Sequence, residues 1–415
     1  MVRRRRVIEI RVLVAIAGVL LLAGALVGCG GGVGEENADG RGGERGSAPA
    51  TAESTTDPEE GRPASGAARG GAGLDVEVVS PGGAYVPVGF GEGSLWATEP
   101  STCNDTGSAS GSASASSSRG ASFPSTMLME SSAQAMCAPS DKMLLERLDP
   151  QTGEEVASIT LEGFFANEMD VAVGAGSVWV SSADGFADAV LKVDPETGQV
   201  VDRIPVPPES PTSLAFGHGS VWVTNASRGT LSRVDPRTGE VAAKIEVGRG
   251  ATGVAVDEDS GAVWVASGGF FLDEDSENNK LSRVEVATDR VVAEVPIAAR
   301  EPDGGAYRVA VGEGAVWAQG VSGGLFKVDP ATNEVVAERD LGGYSSDLAV
   351  YGGSVWATAQ VSDIGTRLYR IDPRTARVVA SEHGPDPSEG GYGELVAGGG
   401  YVWFASGGGL ARVAP

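Results

Sequence analysis

LAFGHGSVWVTNASRGTLSRVDPRTGEVAAKIEVG, residues 214–248, decides the fold, because nearly everything after residue 80 is a variation on it. An apolar run ends in Gly217-His218-Gly219, a second carries Trp222, and a third ends at Asp235-Pro236. Thr238-Gly239 opens a fourth run, in which Val241, Ala243, Ile245 and Val247 alternate with charged residues such as Glu240, Lys244 and Glu246. The stretch therefore reads as four short strands joined by three turns, one antiparallel sheet. Such a sheet cannot bury both faces alone and must stack on copies of itself.

The copies are countable. All seven tryptophans sit in one frame: GEGSLWAT at Trp96, GAGSVWVS at Trp179, GHGSVWVT at Trp222, DSGAVWVA at Trp264, GEGAVWAQ at Trp317, YGGSVWAT at Trp356 and GGGYVWFA at Trp403. A second mark recurs with it: DPQTG at Asp149, DPETG at Asp194, DPRTG at Asp235, EVATD at Glu285, DPATN at Asp329 and DPRTA at Asp372. A proline after the first turn residue fits a type I turn closing a hairpin. The seventh copy stops at Ala411-Arg412-Val413-Ala414-Pro415, where its turn and fourth strand should begin, while residues 74–80, LDVEVVS, alternate like a fourth strand ahead of the first copy. The expected architecture is an all-β, seven-bladed β-propeller over residues 74–415, with four-stranded antiparallel blades. The amino-terminal strand completes the last blade and closes the ring.

VWVTN at Val221 to Asn225, followed by RVDPRTGEVAAKIEVG, resembles the YVTN repeat of seven-bladed propellers, and the unit is also similar to the repeats of streptogramin B lyases. The resemblance covers about residues 74–415 and speaks to fold more than activity, because the residues it fixes are turns and packing positions.

Ahead of the repeats, Arg3 to Arg6 and Arg11 precede an apolar run, Val12 to Val27, that is short for a membrane span and fits a secretory signal. Leu26-Val27-Gly28-Cys29 resembles the lipobox of bacterial lipoproteins, which implies cleavage of residues 1–28 and acylation of Cys29. Residues 30–73 have almost no large apolar side chains and read as a disordered tether of roughly 35–40 Å r.m.s. span. The expected location is the extracytoplasmic side of the cell membrane, held by lipid. The 415 residues carry 62 glycines and a formal charge of −25, and removing residues 1–28 leaves about −29. So acidic a chain repels phosphate backbones, which argues against nucleic acid as a partner.

Turns joining first to second and third to fourth strands share one face and are uniform here. The opposite face carries the varied connections: about Pro100 to Asp141, 268–279, 298–305 and 383–391. Variation on one rim marks the face where binding is usually built. Nine positions before each tryptophan, at the start of the innermost strand on that rim, stand Pro87, Asp170, Ser213, Arg308, Asp347 and Glu394, with Gly253 equivalent after a two-residue insertion. Asp170, Ser213, Arg308, Asp347 and Glu394 are the candidate ligand residues of the channel mouth, suited to a cation, a sugar or a polar peptide. Asp170, Asp347 and Glu394, with Asn225, are weak candidates for oxygen ligands to calcium or magnesium, and no spacing compels a metal or any other cofactor.

The lyase resemblance implies a catalytic histidine and glutamate where the inner strands begin. The matching places hold Tyr307, Arg308, Ser346, Asp347, Gly393 and Glu394, whereas His218 lies in a turn on the uniform face and His383 ends an outer strand. No catalytic residue is assigned. The run Asp273 to Asn279 lacks EF-hand spacing and reads as a hydrated acidic loop, preceded by Phe270 and Phe271. Cys103 and Cys137 bracket a Ser-, Ala- and Gly-rich insertion and are a disulfide candidate outside the cytoplasm, with two free thiols as the alternative. The leading expectation is a monomeric, membrane-tethered binding scaffold for a protein, peptide or carbohydrate. The alternative is an extracytoplasmic lyase or hydrolase with a metal-assisted site at the mouth.

Overall fold

The computed structural model describes residues 73–81, 86–99, 142–162, 169–182, 189–206, 211–268, 279–297, 305–361, 365–383, 393–406 and 409–415. Cys29, Cys103, Cys137, Phe270, Phe271, residues 273–278 and the 100–141 insertion lie outside them. The described strands, numbered in chain order, form seven four-stranded antiparallel sheets. The quoted stretch is the third blade: β10 (Pro211–Gly217), β11 (Ser220–Asn225), β12 (Thr230–Val234) and β13 (Val241–Glu246). The last blade is built as the sequence predicts. β26 (Leu395–Gly398), β27 (Tyr401–Ser406) and β28 (Gly409–Val413) are completed by β1 (Val76–Pro81), with Val76 opposite Val413.

First strands pack against first strands around the ring. Besides β10 and β26 these are β2 (Val86–Gly91), β6 (Met169–Gly174), β14 (Gly253–Asp257), β18 (Ala306–Gly312) and β22 (Tyr344–Tyr351), each touching the next and β26 touching β2. The two turn motifs follow from this geometry. In GHGS, His218 and Gly219 have φ of 48° and 68°, the pair of positive values that a two-residue type I′ hairpin turn needs. The glycine before them answers to packing, since a Cβ on Gly217 would lie 2.4 Å from Val256 of the next blade. In DPRTG, the Asp235 carboxylate accepts the Arg237 N–H at 2.8 Å, Gly239 takes φ 71°, and the register between β12 and β13 slips once, a turn ending in a bulge. Backbone N–H groups on that carboxylate lower the pKa of Asp235, as they do for Asp194 and Asp372.

Every tryptophan of the frame is buried between blades. Each is covered by a cation on the third strand of its own blade: Arg147, Lys192, Arg233, Arg283, Lys327, Arg370 and Arg412 stand 5.3–6.0 Å from the ring centroids. Six of the seven reach on into the next blade. Arg147 donates to the Pro195 carbonyl, Lys192 to Pro236, Arg233 to Val286, Arg283 to Pro330, Lys327 to Pro373 and, across the closure, Arg412 to Pro150. These six cations are thus inter-blade clasps.

Candidate functional site

The register confirms the frame that placed the mouth residues. Asp170, Arg308 and Asp347 lie opposite Ser181, Gln319 and Thr358, each two residues past its tryptophan, and Gly253 lies opposite Ala266 in the same relation. Blade one departs from it. A register shift between Pro87 and Gly89 sets Pro87 opposite Ala97, one residue out of frame, at a residue with no N–H for the ladder. Further shifts fall beside Ser213, Arg308 and Asp347, in β10, β18 and β22, and such bulges re-aim side chains at a barrel mouth.

Two aspartates tie neighbouring blades together at the mouth. Asp170 Oδ1 accepts its neighbour's N–H, from Val171, at 2.8 Å, and Oδ2 accepts the Leu214 N–H at 2.8 Å and the Ser213 hydroxyl at 2.5 Å from the next blade. Asp347 repeats the pattern: Oδ1 accepts the Leu348 N–H and Oδ2 the Leu395 N–H of the next blade, both at 2.9 Å. Glu394 therefore occupies in blade seven the place Ser213 occupies in blade three. Its approach requires Gly393, with φ 72°, because a Cβ there would lie 2.9 Å from Thr366 Cγ2 and 3.0 Å from Ser346 Cβ. Gly253 lets the backbone of blade five come close, as a Cβ would sit 2.8 Å from the Tyr307 carbonyl oxygen.

Arg308 stacks over Tyr307 at 4.3 Å, donates Nε to the Ser346 carbonyl at 3.2 Å and pairs with Asp347 Oδ1 at 3.3 Å. Burial alone would lower its pKa, but Tyr307, Asp347, Asp170 and Glu394 outweigh that and hold it above the ordinary value. Burial raises both aspartates, against the hydrogen bonds they accept and the nearby arginine. Asp170 stands in blade two, Arg308 in blade five and Asp347 in blade six. Blade two adjoins neither of the others, so their mutual electrostatic influence means that these side chains reach toward one central space. Glu394 joins them: burial, then the Asp347 charge, raises its pKa to about 7, and its Oε2 is buried with no hydrogen-bond partner.

The other candidates lie elsewhere. Asn225 is buried, its Nδ2 donating to Thr230 and Ser232 of its own blade and its Oδ1 left without a hydrogen-bond partner. His218 contacts the Asp257 carbonyl and Glu258 on the uniform face, and His383 ends β25 (Arg377–His383) beside Arg367. Among the described residues no group of three His, Cys, Asp or Glu side chains is arranged to hold a metal ion.

A family model described as outer membrane protein assembly factor BamB matches residues 141–382. No curated protein sequence matches the chain. Among solved structures, a streptogramin B lyase is 14% identical and superposes with a TM-score of 0.56, covering 81% of this chain and 96% of its own. Virginiamycin B lyase from Staphylococcus aureus is 12% identical with a TM-score of 0.56, over 82% of this chain and 99% of its own. At such identities the likeness is one of fold alone.

Proposed function

Since the chain belongs to the family described as outer membrane protein assembly factor BamB, we propose that it is a lipid-anchored, extracytoplasmic binding scaffold whose ligand seat is the central mouth. One observation carries this reading: blades two, three, five, six and seven each send a polar or charged side chain to that mouth. The buried Oε2 of Glu394 is left without a partner there. Seven blades could close with small neutral residues at those places, as Gly253 does in blade four, so ring closure does not account for the charge. The basic and apolar leader ending in Leu26-Val27-Gly28-Cys29 supports attachment through Cys29 and an extracytoplasmic location. The family description, an assembly factor, fits a protein that works by docking.

The test has two arms. Full-length protein is expected to sediment with membranes and to need detergent for release, and Cys29→Ser is expected to appear in the soluble fraction. In a thermal melt against a panel of sugars, amino acids, short peptides, calcium and magnesium, a ligand at one hundred times its Kd raises stability by about 2.7 kcal/mol. That shift is expected to be lost in Glu394→Gln. Equal membrane retention of the two proteins sinks the anchor, and ligand shifts unchanged by the Glu394 substitution sink the seat.

One observation favours a second reading, a lyase or hydrolase at the same mouth. Glu394 titrates near 7, where a general base is most effective. It ranks second because Asp170 and Asp347 are already engaged by backbone N–H groups and no histidine stands beside Glu394.

A further inference from the structure

The two aspartate clasps are alike in backbone and opposite in what completes them. In blade three, the Ser213 hydroxyl donates to Asp170 and closes the arrangement. In blade seven the same place holds a carboxylate, so Glu394 meets Asp347 with no proton to offer once ionised, and its Oε2 stays unsatisfied. A buried, unpaired acceptor beside a like charge costs stability, and such local violations mark functional sites.

All four oxygens of Asp170 and Asp347 accept hydrogen bonds, and Arg308 Nε is engaged by Asp347 and the Ser346 carbonyl. Two aspartates and one arginine leave the mouth one charge negative, and ionised Glu394 adds another. An anion would face three carboxylates. A water or a hydroxyl would satisfy Oε2 without offsetting the charge. A calcium ion would need six to eight oxygens, and among the described residues no three His, Cys, Asp or Glu side chains are grouped to hold a metal ion. What fits is a hydrogen-bond donor that carries positive charge.

Resting on the binding-scaffold reading, we infer that the mouth is a seat for a primary ammonium group, held by the partly exposed Glu394 carboxylate, which turns its unpartnered Oε2 to the ligand, with Asp347 behind it and Arg308 fixing Asp347. The ammonium can belong to a free amine or to a lysine side chain, and these share the recognition chemistry. The charged groups facing Glu394 are Asp347 from β22 and Arg308 from β18, with Asp170 across the mouth. β2, packed against the Glu394 strand, has no titratable residue, and β27 carries only Tyr401, at its far end opposite Gly398. Ammonium binding needs the ionised carboxylate, so affinity rises with pH.

The experiment titrates the full-length protein with 1,4-diaminobutane, with the isosteric 1,4-butanediol and succinate, and with acetyl-Gly-Lys-Gly-amide, by calorimetry at pH 6, 7 and 8. One or both ammonium probes are expected to bind, and the tighter of the two identifies the source. With Glu394 titrating near 7, affinity is expected to rise about tenfold from pH 6 to 8. Glu394→Gln, an isosteric change checked for folding by its melt, is expected to weaken binding at least about tenfold and to abolish the pH dependence, converting to about 1.4 kcal/mol or more. Glu394→Asp is expected to weaken binding and keep the pH dependence. Ammonium binding indifferent to Glu394→Gln, or tighter binding of diol or succinate, overturns the inference. If diol or succinate binds and Glu394→Gln abolishes it, the ammonium assignment falls and the scaffold reading stands. If neither these probes nor the wider panel show Glu394-dependent binding, both fall.

Discussion

Replacing Glu394 with glutamine should make the unliganded protein more stable at high pH and leave it nearly unchanged at low pH. The pKa of Glu394 is raised from 4.5 to about 7 by burial and by Asp347. A raised carboxyl pKa means that the folded state holds a proton the unfolded state gives up. The associated stabilisation is fully present below pH 4.5 and is lost progressively as pH rises through 7. At about 1.4 kcal/mol per pKa unit, the loss between pH 4.5 and 8.5 comes to roughly 3 kcal/mol. Glutamine keeps the shape and does not titrate, while Asp170, Asp347 and Arg308 are common to both proteins and largely cancel in the difference. Urea unfolding of both proteins at half-unit steps from pH 4.5 to 8.5 reads the effect directly. Glu394→Gln should match the wild type near pH 4.5 and exceed it by up to about 3 kcal/mol at pH 8.5. Parallel stability curves across the range would refute the buried, unpartnered carboxylate. An ammonium ligand should narrow the gap at high pH, since it stabilises only the ionised wild type.

Two further outcomes are expected. Arg233→Met removes the cover of Trp222 at 5.4 Å and the bonds to Ser220, Val286 and Asp289. It should cost about 2–4 kcal/mol in urea unfolding, and a loss under about 0.5 kcal/mol would deny the clasp its role. Gly253→Ala puts a methyl 2.8 Å from the Tyr307 carbonyl oxygen, so it should cost about 1–3 kcal/mol and shift ligand affinity at the mouth together with stability. Wild-type behaviour on both counts would mean that the blades do not approach there as described.

The fold was legible because its signals are local. A tryptophan in a Gly-rich turn frame, followed within the same blade by a second turn motif, recurs whatever the neighbouring blade contributes. Counting nine residues back from Trp179, Trp317, Trp356 and Trp403 was enough to find Asp170, Arg308, Asp347 and Glu394. Their chemistry was not legible, because it depends on which residue the next blade presents. Nothing local distinguishes Asp170, closed by Ser213, from Asp347, left open by Glu394, since each pair is more than forty residues apart. The clasp cations were in plain view in RLDP, KVDP, RVDP and RIDP. Except for Arg370, each has its acceptor on a carbonyl of the following blade, which no local pattern marks.

The ring's closure also sets an order of events during synthesis. Glu77 and Arg412, bonded across the seam, are 335 residues apart, so at about 5–20 residues per second the first strand waits on the order of 20–70 s for its partner to emerge. During that time β1 is an unclaimed edge next to nascent blades that already offer complementary edges of their own. Glu77 puts charge on it and Asp75 stands just ahead of it, which discourages pairing with a wrong strand. The last blade is therefore a checkpoint: a ribosome that stops short of Gly409 releases six blades and a strand whose only correct mate was never made.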